Sequence, residues 1–522
     1  MIQTFLFYEI TNSIIMKKIG LLLSLLCVMA LVASGQQPYQ GNNYAQISSQ
    51  DSYEEIITKA AHVTPSPRQL HWQQLELTAF LHFGINTFTN REWGTGDEDP
   101  KLFNPTDLDA EQWVKVLKKA GFKQVILTAK HHDGFCLWPS KYTDHSVEES
   151  PWKNGNGDVV KLVAEACEKY DIGFGVYLSP WDRNYPYYGN TKKYNQYFEN
   201  QLRELLTNYG QIDEVWFDGA NGEGDNGKVP EYHFDEWYKI IRKLQPQAVI
   251  AIMGPDVRWV GTETGYGRLS EWSIVPVGAK LQENIAAHSQ QDLTFKPAGD
   301  MTGHDLGSRN KIENATSLIW YPAEADVSMR PGWFYHKEED DDVKSVEKLL
   351  DIYYGSVGRN CVLLMNVPPN KKGLISQSDV DTLMKWSKIV RKTFKKNLAK
   401  GASIHSEDGV HAEALLDGDY ITYWTTQNKD TSATIVFNLK GEKTFDVLLL
   451  QEEIRVGQRI EKFQLDFWNG AKWEKITEGT TVGYKRLLRF NPISTKKVRL
   501  QIKSSRLNPT LAAFGLYNRP NN

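Results

Sequence analysis

Val215-Trp216-Phe217-Asp218-Gly219 ends a short apolar run in a carboxylate, with a tryptophan beside it and a glycine that lets the chain turn away. An acid at a strand end can act as a nucleophile and an indole can wall a sugar pocket, so the run suits covalent glycoside hydrolysis. The same pattern also caps helices and turns, and alone it does not separate the two readings. Other polar residues fall in equivalent places. His82, Asn86, Glu92 and Trp93 follow one apolar run, and Lys130-His131-His132-Asp133-Gly134-Phe135 close the next. Tyr177-Leu178-Ser179-Pro180-Trp181-Asp182 end a third, and Gly254-Pro255-Asp256-Val257-Arg258-Trp259 follow a fifth. In a parallel barrel the strand ends converge on one face, so these groups can share one pocket.

Retaining hydrolysis needs a second carboxyl group about 5–5.5 Å from the first. Glu223, Asp256, Glu263, Glu271, Glu324 and Asp326 are candidates, and spacing does not choose among them. Glu263 stands in Gly261-Thr262-Glu263-Thr264-Gly265, a loop able to swing over a leaving group. Glu271, in Ser270-Glu271-Trp272-Ser273, has the setting of a buried structural or sugar-contacting acid. His131 and His132 are adjacent, so they tend to point differently, and no further ligands stand at metal-binding spacing. They are read as neutral rings that hydrogen-bond sugar hydroxyls, with satisfied core histidines as the alternative. No Gly-x-Ser-x-Gly elbow or phosphate loop points to esterase or kinase chemistry.

Positioning these groups requires a frame, and residues 70–395 alternate apolar strand-like runs with amphipathic helical ones, the mark of βα units. Strands are expected at Leu77–Phe88, Lys123–Ala129, Ile172–Leu178, Ile212–Phe217, Ala248–Met253, Ser317–Tyr321 and Cys361–Asn366, with one more unassigned within residues 265–300. The fold class is α/β, a (β/α)8-like barrel; no glycine-rich loop after the first strand supports a doubly wound sheet. After Lys395 helical periods give way to short alternating strands, a β-sandwich (jelly roll) over 396–522. A lead-in segment spans 36–69.

Residues 1–35 read as an N-terminal extension and signal peptide. Met16-Lys17-Lys18 is its charged start, Ile19 to Val32 its apolar stretch and Ala33-Ser34-Gly35 its small-residue end. This predicts export to the periplasm or the medium. Cys136, Cys167 and Cys361 are too few and scattered for a disulfide scaffold. A net charge of −4 gives no basic field for nucleic acid, and no run after residue 35 is long and apolar enough to span a bilayer.

Four motifs in order, Leu81-His82-Phe83-Gly84, Lys130-His131-His132-Asp133-Gly134-Phe135, Tyr177-Leu178-Ser179-Pro180-Trp181 and Trp216-Phe217-Asp218-Gly219, resemble those of the α-L-fucosidases, glycoside hydrolase family 29. The resemblance covers most of residues 70–395. It implies Asp218 as the nucleophile and His82, Glu92, Trp93, His131, His132, Tyr177 and Trp216 around the fucose. Gly254 to Glu263 resembles the branch selective for α-1,3/1,4-linked fucose, with Glu263 at the acid/base position; Thr262 stands where that branch commonly has Asn. The segment Trp320 to Trp333 looks similar to that branch too, and the two segments together imply Arg258, Glu324, Asp326 and Trp333 as substrate contacts. Leu415-Leu416-Asp417-Gly418-Asp419-Tyr420-Ile421-Thr422-Tyr423-Trp424 resembles discoidin-like carbohydrate-binding modules, which implies room for a structural calcium near this turn; catalysis is expected to use no cofactor. The expected substrates are fucosylated, Lewis-type glycans. A broad-specificity fucosidase, another barrel glycosidase or an inactive sugar-binding barrel are the competing readings.

Overall fold

A short run that is apolar on both faces finds its stable place inside a parallel sheet covered on both sides. The computed structural model describes residues 39–276, 305–427 and 430–520, and it places such runs at the centre of the first of two architectures. In chain order the strands are β1 (Tyr44–Gln46), β2 (Leu77–Leu81), β3 (Gln124–Lys130), β4 (Gly173–Leu178), β5 (Glu214–Phe217) and β6 (Val249–Ile252). They continue with β7 (Arg258–Trp259), β8 (Ile274–Pro276), β9 (Ser317–Trp320), β10 (Ala323–Ser328) and β11 (Cys361–Asn366). Every position of β2, β3, β5, β6, β10 and β11 is buried.

Eight of these strands form one sheet in the order β6-β5-β4-β3-β2-β11-β10-β7, with all neighbours parallel. A parallel bridge from Ala251 to Val257 joins the two edges, so the sheet is a nearly closed barrel. Helices Ala110–Ala120, Val159–Lys169, Thr191–Asn208 and Phe234–Leu244 follow β2 to β5, and Val346–Gly355 and Gln377–Phe394 follow β10 and β11. Several start where a side chain satisfies an orphan backbone N–H: Asp109, Asp158, Asn190 and Ser345 each accept from the third residue onward. No helix separates β6 from β7.

Two strand expectations are corrected. Ser317–Trp320 is not a barrel strand; it pairs antiparallel with β1 and β8 in a small separate sheet. The barrel strand is the next one, β10, which is buried throughout but alternates small and acidic residues, so it lacks an apolar run. The unassigned eighth strand is β7, two residues long and upstream of residues 265–300. A two-residue strand is too short to show a period. Residues 277–300 of that window, and the expected signal segment, lie outside the described residues.

The C-terminal domain adds β12 (Ser403–Ser406), β13 (Gly409–Val410), β14 (Trp424–Thr426), β15 (Ala433–Glu452), β16 (Ile460–Trp468), β17 (Trp473–Gly479), β18 (Arg486–Ser505) and β19 (Thr510–Tyr517). They form an antiparallel sheet domain, the expected β-sandwich, in the order β13-β14-β19-β15-β18-β16-β17 with β12 on β15. Residues 434–439 and 445–451, which alternate as two separate short runs in the sequence, belong to one strand, β15, with a register shift against β18 between Asn438 and Lys443. Trp424 is fully buried there, and Phe437 stacks on Phe514 with centroids 3.9 Å apart. Among the described residues no helix is long and apolar enough to cross a membrane. Cys136, Cys167 and Cys361 are buried free thiols.

Candidate active site

The carboxyl ends of the barrel strands open on one pocket with about 760 Å³ of space between its atoms. His82, Glu92, Trp93, His131, His132, Tyr177, Trp216, Asp218, Glu263, Asp326 and Trp333, all expected from the sequence, line it together. Asp218 follows β5. Its Oδ1 accepts from the Ala220 backbone N–H at 2.7 Å, and Oδ2 accepts from the Tyr177 hydroxyl with His132 Nδ1 3.8 Å away. Burial pushes the Asp218 carboxyl up to about 7, against the lowering effect of the Tyr177 hydroxyl and the Ala220 N–H.

The histidines are held as neutral rings. Asn366 Oδ1 accepts from the His82 backbone N–H at 3.2 Å, which identifies it as the oxygen, and lies 2.9 Å from His82 Nδ1. His82 therefore donates from Nδ1 and presents Nε2 as an acceptor. The Ser179 hydroxyl stands between His132 Nδ1, at 2.8 Å, and the Trp181 carbonyl, at 2.9 Å. Burial brings His82 and His132 down to about 3 and His131 well below its ordinary value. At neutral pH all three are hydrogen-bonding groups without charge, the state suited to sugar hydroxyls.

Behind them Lys130 and Asp182, fully buried, form an ion pair at 2.7 Å. Lys130 also donates to Gln201, and Asp182 Oδ1 accepts from the backbone of Asn184 and Tyr185. The pair thus ties the ends of β3 and β4 to the helix Thr191–Asn208. Gly134, between them, has φ of 82°, and a Cβ there would overlap Asp182 Oδ1.

The opposite wall is assembled from loops. Glu92 Oε2 accepts from Trp333 N at 2.7 Å and Oε1 from Phe334 N at 3.1 Å, with His336 Nε2 at 2.6 Å. This fixes Trp333, whose Nε1 reaches Glu263 Oε2 at 3.3 Å. Glu263 keeps solvent access at the mouth, yet the surrounding walls strip enough water to raise its carboxyl above its ordinary range, and Glu92 adds to the rise while Trp333 opposes it. Of the six candidate second carboxylates only Glu263 and Asp326 reach the pocket. Asp326 Oδ1 accepts from Trp259 Nε1 at 2.8 Å.

Two expected substrate contacts are corrected. Arg258 is fully buried and points away from the pocket to Glu271 and the carbonyls of Tyr321 and Trp272. Successive residues of a strand face opposite sides, and it is Trp259 that faces the pocket. Glu324 shares a face of β10 with Asp326 but lies two residues, about 6.6 Å, deeper in the barrel. There it accepts from Trp216 Nε1 at 2.8 Å and supports that ring from below. Burial raises both Glu324 and its neighbour Glu214, the latter to about 8. Asp256 and Glu271 are ion-paired scaffolding acids, and Glu223 is exposed on the loop after Asp218.

Phe80, Ala220 and Ile252 also line it without having been expected, and Trp259, placed among the groups at strand ends but not assigned to the substrate, joins them. Ile252 has φ of 60°, a region β-branched residues rarely adopt, and such strain costs about 1–3 kcal/mol and gathers at functional sites. Nothing in the sequence flags it. Asn366 and Ser179 were visible as polar residues at strand ends. Among the described residues no group of three His, Cys, Asp or Glu side chains is arranged to hold a metal ion. At the turn read for calcium, Asp417 accepts from Asp419 N and Thr422 Oγ1, and Asp419 from Ile421 N, so the two carboxylates serve the turn itself.

Comparison with known proteins matches both domains of the chain. Residues 66–393 match the family model described as Alpha-L-fucosidase, and residues 399–514 that of the F5/8 type C domain. The chain is similar to Alpha-L-fucosidase 1 of Arabidopsis thaliana, at 45% identity over 465 residues, 87% of each chain. It is also similar to the crystal structure of a putative α-L-fucosidase from Bacteroides ovatus, with TM-score 0.82 and 48% identity, covering 92% of this chain and 79% of that one. A Ruminococcus gnavus glycoside hydrolase family 29 fucosidase solved in complex with fucose aligns with TM-score 0.78 and 32% identity over 93% of this chain and 98% of its own.

Proposed function

Since the chain belongs to the α-L-fucosidase family, glycoside hydrolase family 29, we propose that it releases terminal L-fucose from fucosylated glycans with retention of configuration, Asp218 attacking and Glu263 carrying the proton. The observation that carries this reading is that the two carboxyl groups line one pocket together with neutral histidines, His132 among them beside Asp218. In the first step an Asp218 carboxylate oxygen bonds to the sugar C1 while the glycosidic C–O bond breaks. Glu263 gives its proton to the departing oxygen. In the second, Glu263, now a carboxylate, takes a proton from water; the water oxygen bonds to C1 and the Asp218 ester bond breaks. Protons and charges balance on these two acids, and no step is routed through a metal.

The sites of attack and protonation impose opposite demands on the two acids. Asp218 must be ionised, and its position near 7 means that lowering the pH protonates it and removes the nucleophile. Glu263 must begin protonated, which its raised carboxyl favours. The acid limb of kcat/KM is therefore expected with its midpoint near about 7 and a slope of about tenfold per pH unit below it. A pH profile with that limb in the ordinary carboxylate range, about 4, would remove this account of Asp218.

We further propose preference for α-1,3/1,4-linked fucose in branched glycans. With Arg258 and Glu324 withdrawn from the pocket, the groups near Glu263 and free to meet a neighbouring galactose are Trp259, Trp333 and Asp326. Indoles stack on sugar faces, and binding energy from a remote sugar can raise kcat as well as lower KM. A branched Lewis trisaccharide is expected to exceed both linear α-1,2-fucosyl-lactose and p-nitrophenyl fucoside in kcat/KM. Equal turnover of the linear or aryl substrate would support broad specificity instead.

A further inference from the structure

Glu263 is carried by a loop that leaves the barrel at β7 and runs to β8 in the small antiparallel sheet, and the far side of that loop rests on the C-terminal domain. Its start is pinned to the barrel, where Val260 N donates to the Glu324 carbonyl at 2.9 Å. Arg258, just before it, pairs with Glu271 near its end, so the two ends of the loop are tied across their base. Between them, three C-terminal side chains take hold of the backbone. Arg486 Nη1 and Thr480 Oγ1 both donate to the Leu269 carbonyl at 2.8 Å, and Thr480 Oγ1 accepts from the Ser270 hydroxyl at 2.9 Å. Gln458 Nε2 donates to the Glu271 carbonyl at 3.0 Å while its Oε1 accepts from Ser273 N at 2.7 Å.

Arg486 is the informative member. It is buried, and no carboxylate among the described residues stands within ion-pairing distance of it. Leu487 N on the same strand donates to Gly358 O, and an antiparallel bridge joins Arg359 to Arg486, so the barrel wall next to the loop shares the contact. Burying a cation without a carboxylate partner is costly. The docking of two folded domains does not itself require that cost, since apolar packing would serve. A charge-assisted bond to one loop carbonyl does need it.

We propose that the C-terminal domain is a positioning clamp for the loop of Glu263, with Arg486, Thr480 and Gln458 as positioning residues that keep the proton-donating carboxyl over the pocket. The proposal rests on the reading of Glu263 as proton donor. Misplacing a reacting group by about 1 Å can cost on the order of 10²-fold. The loss would fall on the step that needs the proton, because an activated aryl group departs without one.

The test compares the full-length wild type, Arg486→Met, Arg486→Lys, Thr480→Val and Glu263→Ala for kcat/KM, which reports the glycosylation step, on a natural oligosaccharide and on an activated aryl fucoside, with Tm measured for each. Arg486→Met is expected to lose about 10–100-fold on the oligosaccharide and less than about threefold on the aryl substrate, with partial rescue in Arg486→Lys. Thr480→Val should lose in the same ratio but less, and it keeps the test open if Arg486→Met does not fold. Equal losses on both substrates, or a lowered Tm with an unchanged substrate ratio, would overturn the clamp and leave a purely structural brace. If Glu263→Ala itself showed no dependence on the leaving group, the premise would fail; if it did and the Arg486 and Thr480 variants did not, the clamp alone would.

Discussion

Asp218→Ala is expected to lower kcat on every fucoside by on the order of 10⁴–10⁶-fold, the scale of loss when a catalytic nucleophile is removed. The loss should be independent of the leaving group, because both bond-making steps at C1 run through this carboxylate. A 2-fluoro-fucosyl donor with a good leaving group should trap the intermediate on Asp218, and peptide mass spectrometry reads the site. A label on another carboxylate would move the role. The same residue carries a stability signature of defined sign. Its carboxyl sits near 7 in the folded protein and at its ordinary 3.8 when unfolded. The native state therefore binds the extra proton between those values. The stability this contributes is fully present below pH about 4 and is lost as pH rises through about 7, an effect on the order of 4 kcal/mol at most. Asp218→Asn has no such titration, so its Tm relative to wild type should climb between pH 5 and pH 8. A flat difference across that window would count against a buried, proton-hungry carboxyl.

Glu263→Ala should separate substrates that Asp218→Ala treats alike. General acid catalysis supplies about 10²–10⁴-fold, and it matters when the leaving oxygen is a poor one. Turnover of a Lewis-type oligosaccharide should fall by that amount. The glycosylation step on an activated aryl fucoside should change little, and azide should partly restore turnover by attacking the intermediate without base assistance. Asp326 is the other of the six candidate acids that reaches the pocket, and it is held by Trp259 Nε1. Appearance of the leaving-group signature in Asp326→Asn instead, or equal losses on both substrates in Glu263→Ala, would transfer the role.

How far the sequence reached depended on whether the relevant pattern was local. The strand ends carrying His82, His131, His132, Tyr177 and Asp218 were legible because parallel strands of fixed pitch bring their ends to one face, so position along each apolar run predicts position in the pocket. The barrel and the change to antiparallel strands after residue 395 were legible for the same reason: burial imposes a period on each segment separately. Strand β7 was not, since two residues have no period, and β10 was missed because its buried acids, Glu324 and Asp326, break the apolar run that marks a buried strand. Without those two strands the orientation of their side chains was undetermined. Both Arg258 and Trp259 were therefore placed among the pocket groups and Arg258 alone was assigned to the substrate, although alternation along one strand permits only one of them there, and it is Trp259.

Choosing among six acids was likewise a question of distance between segments that sequence spacing does not encode. Only in the assembled barrel do Glu92, Trp333 and Glu263 connect, across 171 residues from Glu92 to Glu263. The carboxyl of Asp218 acquires its affinity for a proton from the walls that other strands bring around it. Residue types and their periods determined by themselves which groups face the pocket from the long strands and what chemistry they suit. The packing of distant segments decided which of the six acids reach the pocket, how strongly each holds its proton, and that Leu269 and Glu271, beyond Glu263, rest on Arg486, Thr480 and Gln458, because burial and contact are properties of the whole assembly and leave no trace in local spacing.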